Sequence, residues 1–161
     1  MTPSLTELFS RHYETLLTAW FEAVTRRCPG VATAPGAAID PAADLRTALA
    51  VCLAVVGGED RPLPPDLARW FAVQDVPAEE AMICLYALKP LLRCHILPHT
   101  QEIAPYLEAE SRLDSLAVLL FGDYVRCRER LHAARLSAAE RNIAGLRRWA
   151  RERGFFAEPA S

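Results

Sequence analysis

Residues 110–142, ESRLDSLAVLLFGDYVRCRERLHAARLSAAERN, decide the fold. Within them Leu113, Ala117, Leu120, Tyr124, Cys127, Leu131 and Ala134 follow one another at alternating spacings of four and three. That is the heptad seam of a helix packed along one side, sustained for about three repeats. The reading is one long helix that starts at Thr100 or Pro105 and runs at least to Arg135. Ser137-Ala-Ala-Glu140 matches a capping box, so either a separate final helix begins there or the rod continues to Arg153. Ile143, Leu146, Trp149 and Ala150 keep an apolar side over that last stretch. Gly154 marks an end, and 154–161 reads as a frayed tail.

Working outward, the rest of the chain is also helical in pattern. Leu5, Leu8, Phe9, His12, Leu16, Trp20, Ala23 and Val24 give a first helix over 4–27 one apolar face. Ser4 with Glu7 is its capping box, and Pro29-Gly30 stops it. The Pro-, Gly- and Ala-rich run 29–39 reads as a loop. Asp40-Pro41 opens a second helix whose buried stripe is Leu45, Leu49, Cys52, Leu53 and Val56. Gly57-Gly58 ends it; VCLAVVGG also fits a short strand, but its neighbours favour helix. Pro65-Asp66 opens a short third helix through Leu67, Trp70, Phe71 and Val73. A fourth starts at Pro77 with Glu79 and Glu80 in its first turn. It is apolar nearly all round, which predicts a central, buried helix, with Pro90 bending or breaking it. The expected fold is therefore an all-α, single-domain bundle over 1–153, with five or six helices and one long C-terminal helix. Crossing angles are not legible, so a globin-like arrangement stays open.

A chain of 161 residues is long enough for one sizeable core, and 52% hydrophobic content fits a folded domain. The net charge of -2 conceals a dipole. Residues 126–153 carry nine Arg and three Glu, a surplus of six positive charges, while the remainder carries nine basic and seventeen acidic side chains. An acidic body with a basic tail suits head-to-tail contact, an acidic partner or a membrane surface, and equally a solvated helix face. Five Cys with no CxxC spacing argue against a disulfide framework or a standard zinc site, and point to reduced thiols in a cytoplasmic protein. The N-terminus lacks the features of a signal peptide, and no window approaches eighteen uninterrupted apolar residues, so no membrane span is expected.

Residue chemistry assembles no reacting centre. Ser4, Ser10, Ser111, Ser115 and Ser137 sit in helical contexts without a nucleophile elbow, and no glycine-rich phosphate loop is present. His95 and His99 are four apart, a spacing that suits two ligands on one helix face, but Pro98 intervenes and no carboxylate motif accompanies them. A buried structural histidine is the simpler reading. Cys94 and His95 are the candidate ligands of an alternative reading, a haem, small-molecule or thiol-redox sensor with a pocket between helices. Arg126, Arg130, Arg141 and Arg148 could contact phosphates, but Glu129, Glu140 and Glu152 break the basic stripe, so nucleic-acid binding is disfavoured.

Two runs resemble a known family. One is Arg69 with Ala72, Val73, Gln74 and Asp75, ahead of a Pro-initiated helix. The other is Asp114, Leu116 and Ala117, then Asp123, Tyr124, Val125, Cys127, Arg128 and Glu129. Together they resemble the RsbRD N-terminal domain, a co-antagonist of the RsbT kinase related to the stressosome protein RsbR. The resemblance covers roughly residues 5–140, loosely in the first half. It implies a helical sensor or interaction module for bacterial stress-response signalling that dimerises and passes a signal through its C-terminal helix. It carries over no catalytic residue and no cofactor. The sequence as given ends twenty-one residues after the resemblance, so the expectation is a stand-alone member without a STAS domain, acting through a partner. That partner would be a STAS-domain protein, a kinase or a protein of a redox complex. The expected function is non-catalytic regulation by homodimerisation and partner binding. Leu113, Leu120, Tyr124 and Leu131, packed against the body or a second copy, and Arg126, Arg130 and Trp149 are its candidate interaction residues.

Overall fold

The computed structural model describes residues 3–28, 41–62, 65–100 and 103–154. Among them the chain is all-α: α1 (Leu5–Arg27), α2 (Pro41–Val56), α3 (Pro65–Val73), α4 (Ala78–Tyr86), α5 (Leu88–His95), a 3-10 turn at Leu97–His99, and α6 (Ile103–Glu152). The loop expected over 29–39, the cap Asp40 and the tail beyond Gly154 lie outside the described residues.

Local chemistry sets the helix ends. At α1 the Ser4 hydroxyl accepts from the Glu7 N–H at 3.2 Å, and the Glu7 carboxylate accepts from the Ser4 N–H at 2.7 Å. This reciprocal pair satisfies two otherwise unpaired donors. The stretch VCLAVVGG is the end of α2, not a strand, because Leu49, Cys52, Leu53 and Val56 all face the core at helical spacing. Gly57 closes that end where α2 meets α1: a Cβ there would lie 2.9 Å from the Phe9 ring. Gly58 follows in the left-handed region (φ 105°) that favours glycine.

The fourth helix is two helices. Pro90 has no N–H for the Tyr86 carbonyl four residues earlier, and its ring crowds that carbonyl. The helix accordingly ends at Tyr86 and restarts at Leu88. The pair is not buried all round, as its composition suggests. Ala81, Cys84, Leu85, Leu88, Leu92 and Ile96 face the core, while Ile83 and Tyr86 are exposed, because α1 and α6 cover one side only. Residues 78–99 also have the length and composition of a membrane span. The run is interrupted at Ala87, and its inner face is buried in the bundle.

Trp20 is fully buried and its indole N–H donates to the Cys84 carbonyl at 2.8 Å, tying α1 to α4. Leu16, Leu49, Leu53, Leu67, Leu85, Leu92 and Leu113 are buried in the same core. Removing water from each such side chain contributes about 1.5–3 kcal/mol.

The long helix starts at Ile103 and continues unbroken through Ser137, so the second capping box does not act as one. Nothing there stops a helix: Gly122 and Gly145 each lower propensity by about 1 kcal/mol, and Pro105 lies in the first turn. At 1.5 Å per residue its 50 residues span ~75 Å. Tyr106, Ala109, Leu113, Leu116, Ala117, Leu120 and Tyr124 bury its first half against the bundle, and Cys127 and Leu131 are partly buried against the core. Beyond Leu131 no described residue of α6 is buried, so the last five turns stand clear of the body as an arm.

Candidate functional site

The seam read from the sequence faces inward. Leu113, Leu120 and Tyr124 are 0%, 2% and 6% exposed, all against the chain's own body. Of the two surfaces open to this seam, the body or a second copy, these three meet the body, and Leu131 is half-buried beside them. A four-three spacing identifies a packed stripe but not what covers it, and here the bundle itself does. Arg126 pairs with Asp123 one turn back on the exposed side. Arg130 is exposed. Trp149 is about half exposed, with the Arg153 guanidinium 5.2 Å from its ring centre.

The two runs that carry the family resemblance meet in space. Asp75 sits in the turn between α3 and α4 with φ 55°, the left-handed position where a helix commonly ends on glycine. The Val76 N–H donates to the Phe71 carbonyl at 3.1 Å, closing that turn. Asp is among the few side chains that tolerate this conformation, and here its carboxylate reaches across to α6. It accepts from Arg128, and from Arg135 at 3.2 Å. These two guanidinium groups hold the Asp75 carboxyl below the usual carboxylate range. Next to it the buried Tyr124 hydroxyl donates to the Val76 carbonyl at 2.6 Å. The ion pairs are exposed and individually weak; the buried tyrosine bond fixes the register. The α3–α4 turn thus clasps α6 at the place where the helix leaves the body. Pairs 53 and 60 residues apart leave no mark in sequence spacing.

A second apolar stripe was not separated from the first in the sequence. Val118 (72% exposed), Phe121, Val125, Leu136, Ile143 and Leu146 (65%) all lie in water. In a straight helix their directions centre roughly 130° round from the inward seam. Along the arm the inward direction carries Ala138, Asn142, Gly145 and Trp149, while the outer one carries Leu136, Ala139, Ile143 and Ala150. The aliphatic residues Leu136 and Ile143 of the arm therefore lie on the outer face, while Trp149 keeps the inward direction. The signal was present as a shift of register between Leu131 and Leu136.

The ligand candidates fare differently. Cys94 is exposed on α5. His95 belongs to a cluster that sequence spacing did not reveal: its ring lies 6.3 Å from that of His12 on α1, and His12 stacks on His99 at 4.9 Å and 18°. His12 Nε2 is buried without a hydrogen-bond partner. Burial first, then the neighbouring His99, His95 and Arg11, hold the His12 pKa below the usual histidine value. Stacked rings keep their nitrogen lone pairs in parallel planes, so they do not converge on one ion. Among the described residues no group of three His, Cys, Asp or Glu is placed to hold a metal. Cys28 and Cys84 approach to 3.9 Å between sulfurs, but burial raises both thiols, Cys84 to about 12.

Compared with protein-family models, with curated proteins and with solved structures, the chain matches none.

Proposed function

We propose that this chain is a non-catalytic regulatory module of the RsbRD N-terminal kind, acting by dimerisation and protein-partner binding through α6. The observation that carries the reading is the arm: Leu136, Ile143, Leu146 and Trp149 are all about half exposed or more, on a helix that has left its bundle. Each such side chain gains about 1.5–3 kcal/mol on full burial, so a covering surface finds several anchors there. A helix segment without tertiary packing is also marginal by itself in water, which favours a covered state. The clasp of Asp75 and Tyr124 on α6 supports the resemblance, since it brings both of the runs that carry it to the base of the arm. A clasp at that base suits signal transfer between bundle and arm.

The basic surplus of the arm suits an acidic surface on the partner, and the resemblance points to a STAS-domain protein, a kinase or a redox-complex protein in the cytoplasm. Light scattering on the purified protein tests the first half of the reading: the expected mass is twice 17.8 kDa. Affinity capture from native cells tests the second, with a partner retained by the native chain and lost with Leu146→Asp. A monomer at every concentration that also retains no partner overturns the reading, as does turnover of a substrate by the purified protein.

A further inference from the structure

The outer stripe of α6 has features that select its occupant. Its apolar and small residues recur at heptad spacing from Val118 through Val125 and Leu136 to Ile143, on both sides of a polar break at Glu129 and His132. The two halves of the helix also differ in charge. Residues 103–125 hold four acidic and one basic side chain, whereas 126–152 hold eight Arg and three Glu. We infer that the outer face of α6 pairs with the same face of a second copy, antiparallel, with the arm of each chain lying along the body half of the other's α6. This rests on the dimer proposed above and specifies its surface and direction.

The register follows from the heptad. Antiparallel helices bring one of the two core positions of one chain opposite the other core position of its partner. Centring on the polar break then sets Glu129 of one copy opposite His132 of the other. It sets Val125 opposite Leu136, and Val118 opposite Ile143. Two polar residues that would sit alone in an apolar seam meet complementary groups instead, Val125 and Val118 each meet an aliphatic partner, and Leu146 falls opposite Ser115. A parallel pair would place Glu129 on Glu129 and stack two strongly basic arms side by side. Like charges at that spacing are destabilising, while the antiparallel arrangement sets each basic half against an acidic one. Over the body half the outer face is open at Val118, 72% exposed, and at Phe121 and Val125.

Crosslinking tests direction and register together. The full-length chain is prepared with Cys94→Ser and Cys127→Ala, removing the exposed and half-buried thiols. Val118→Cys and Ile143→Cys are then introduced singly, and the two proteins are treated with a short bis-maleimide, separately and mixed. The pairing gives crosslinked dimers only on mixing, since like positions lie ~38 Å apart along the antiparallel pair. Ile143→Asp, at a site half exposed in the single chain, is expected to weaken association about a hundredfold while circular dichroism stays unchanged. A dimer that crosslinks Ile143→Cys to itself overturns the antiparallel pairing and leaves the dimer reading intact. A dimer that crosslinks in none of the three samples, or that Ile143→Asp leaves intact, places the interface elsewhere and also overturns it. A protein that remains monomeric in light scattering overturns both.

Discussion

Leu120→Ala and Ile143→Ala remove similar aliphatic groups from the same helix and are expected to behave very differently. Leu120 is 2% exposed on the inward seam, among Leu113, Leu116 and Tyr124. Truncating a buried leucine costs about 2–5 kcal/mol, the lost transfer free energy plus the cavity left behind. For a domain of this size each kcal/mol lowers the melting temperature by about 2–4 °C, so Leu120→Ala should melt ~4–20 °C below the native chain. That is a large part of the 5–15 kcal/mol by which such domains are stable. Ile143 is 50% exposed on the arm. Its truncation should change monomer stability by no more than about 0.5 kcal/mol, a shift of ~2 °C or less. The assay is thermal and urea unfolding followed by circular dichroism, on protein dilute enough to be monomeric. Comparable shifts for the two variants would refute the assignment of the two stripes to different faces. So would a Leu120→Ala shift below ~2 °C, because a residue that costs so little does not build the core.

Three further outcomes follow from the same geometry. Tyr124→Phe leaves the Val76 carbonyl without its 2.6 Å donor; the expected loss is about 1–3 kcal/mol, and an unchanged urea midpoint would show the clasp to be idle. Thiol titration at pH 8 should modify Cys94 quickly and Cys127 more slowly. Cys28, Cys52 and Cys84 should react only on unfolding, since they are buried and burial raises Cys52 and Cys84 to about 12; five fast thiols would contradict the packing. His12, held below its ordinary pKa of 6.5, stays neutral in the fold while the unfolded chain takes up a proton. Stability is therefore lost as pH falls from 6.5 through the lower folded value. His12→Gln should flatten the decline in urea midpoint between pH 7 and 5, and an identical decline in both proteins would exclude His12 as its source.

Much of the architecture was legible because it rests on local chemistry. Ser4 with Glu7 marked the first helix, Gly57-Gly58 ended the second, and the seam from Leu113 to Leu131 announced the long one. Pro90 announced a break, which falls at Tyr86 and Ala87, the turn whose carbonyl the proline leaves without a donor. The continuity of α6 across Ser137 was not decided, since a capping box in mid-helix is a weak stop without a neighbouring Pro or Gly. Most of the candidate site was illegible for a different reason. Periodicity tells that Leu120 and Ile143 each lie on an apolar stripe, but only the placement of the bundle tells that one is covered and the other open. Asp75 with Arg128, and His12 with His95 and His99, join elements far apart in sequence. A left-handed aspartate at a helix end also leaves no pattern that distinguishes it from any other turn.

Hydrogen exchange read by mass spectrometry, on dilute and on concentrated native protein, tests most directly the claim that α6 is the working surface. Peptides covering 136–150 and 111–125 are expected to gain protection as concentration rises, with α1, α2 and α5 unchanged. Protection that appears only in the bundle, or nowhere, would contradict the claim.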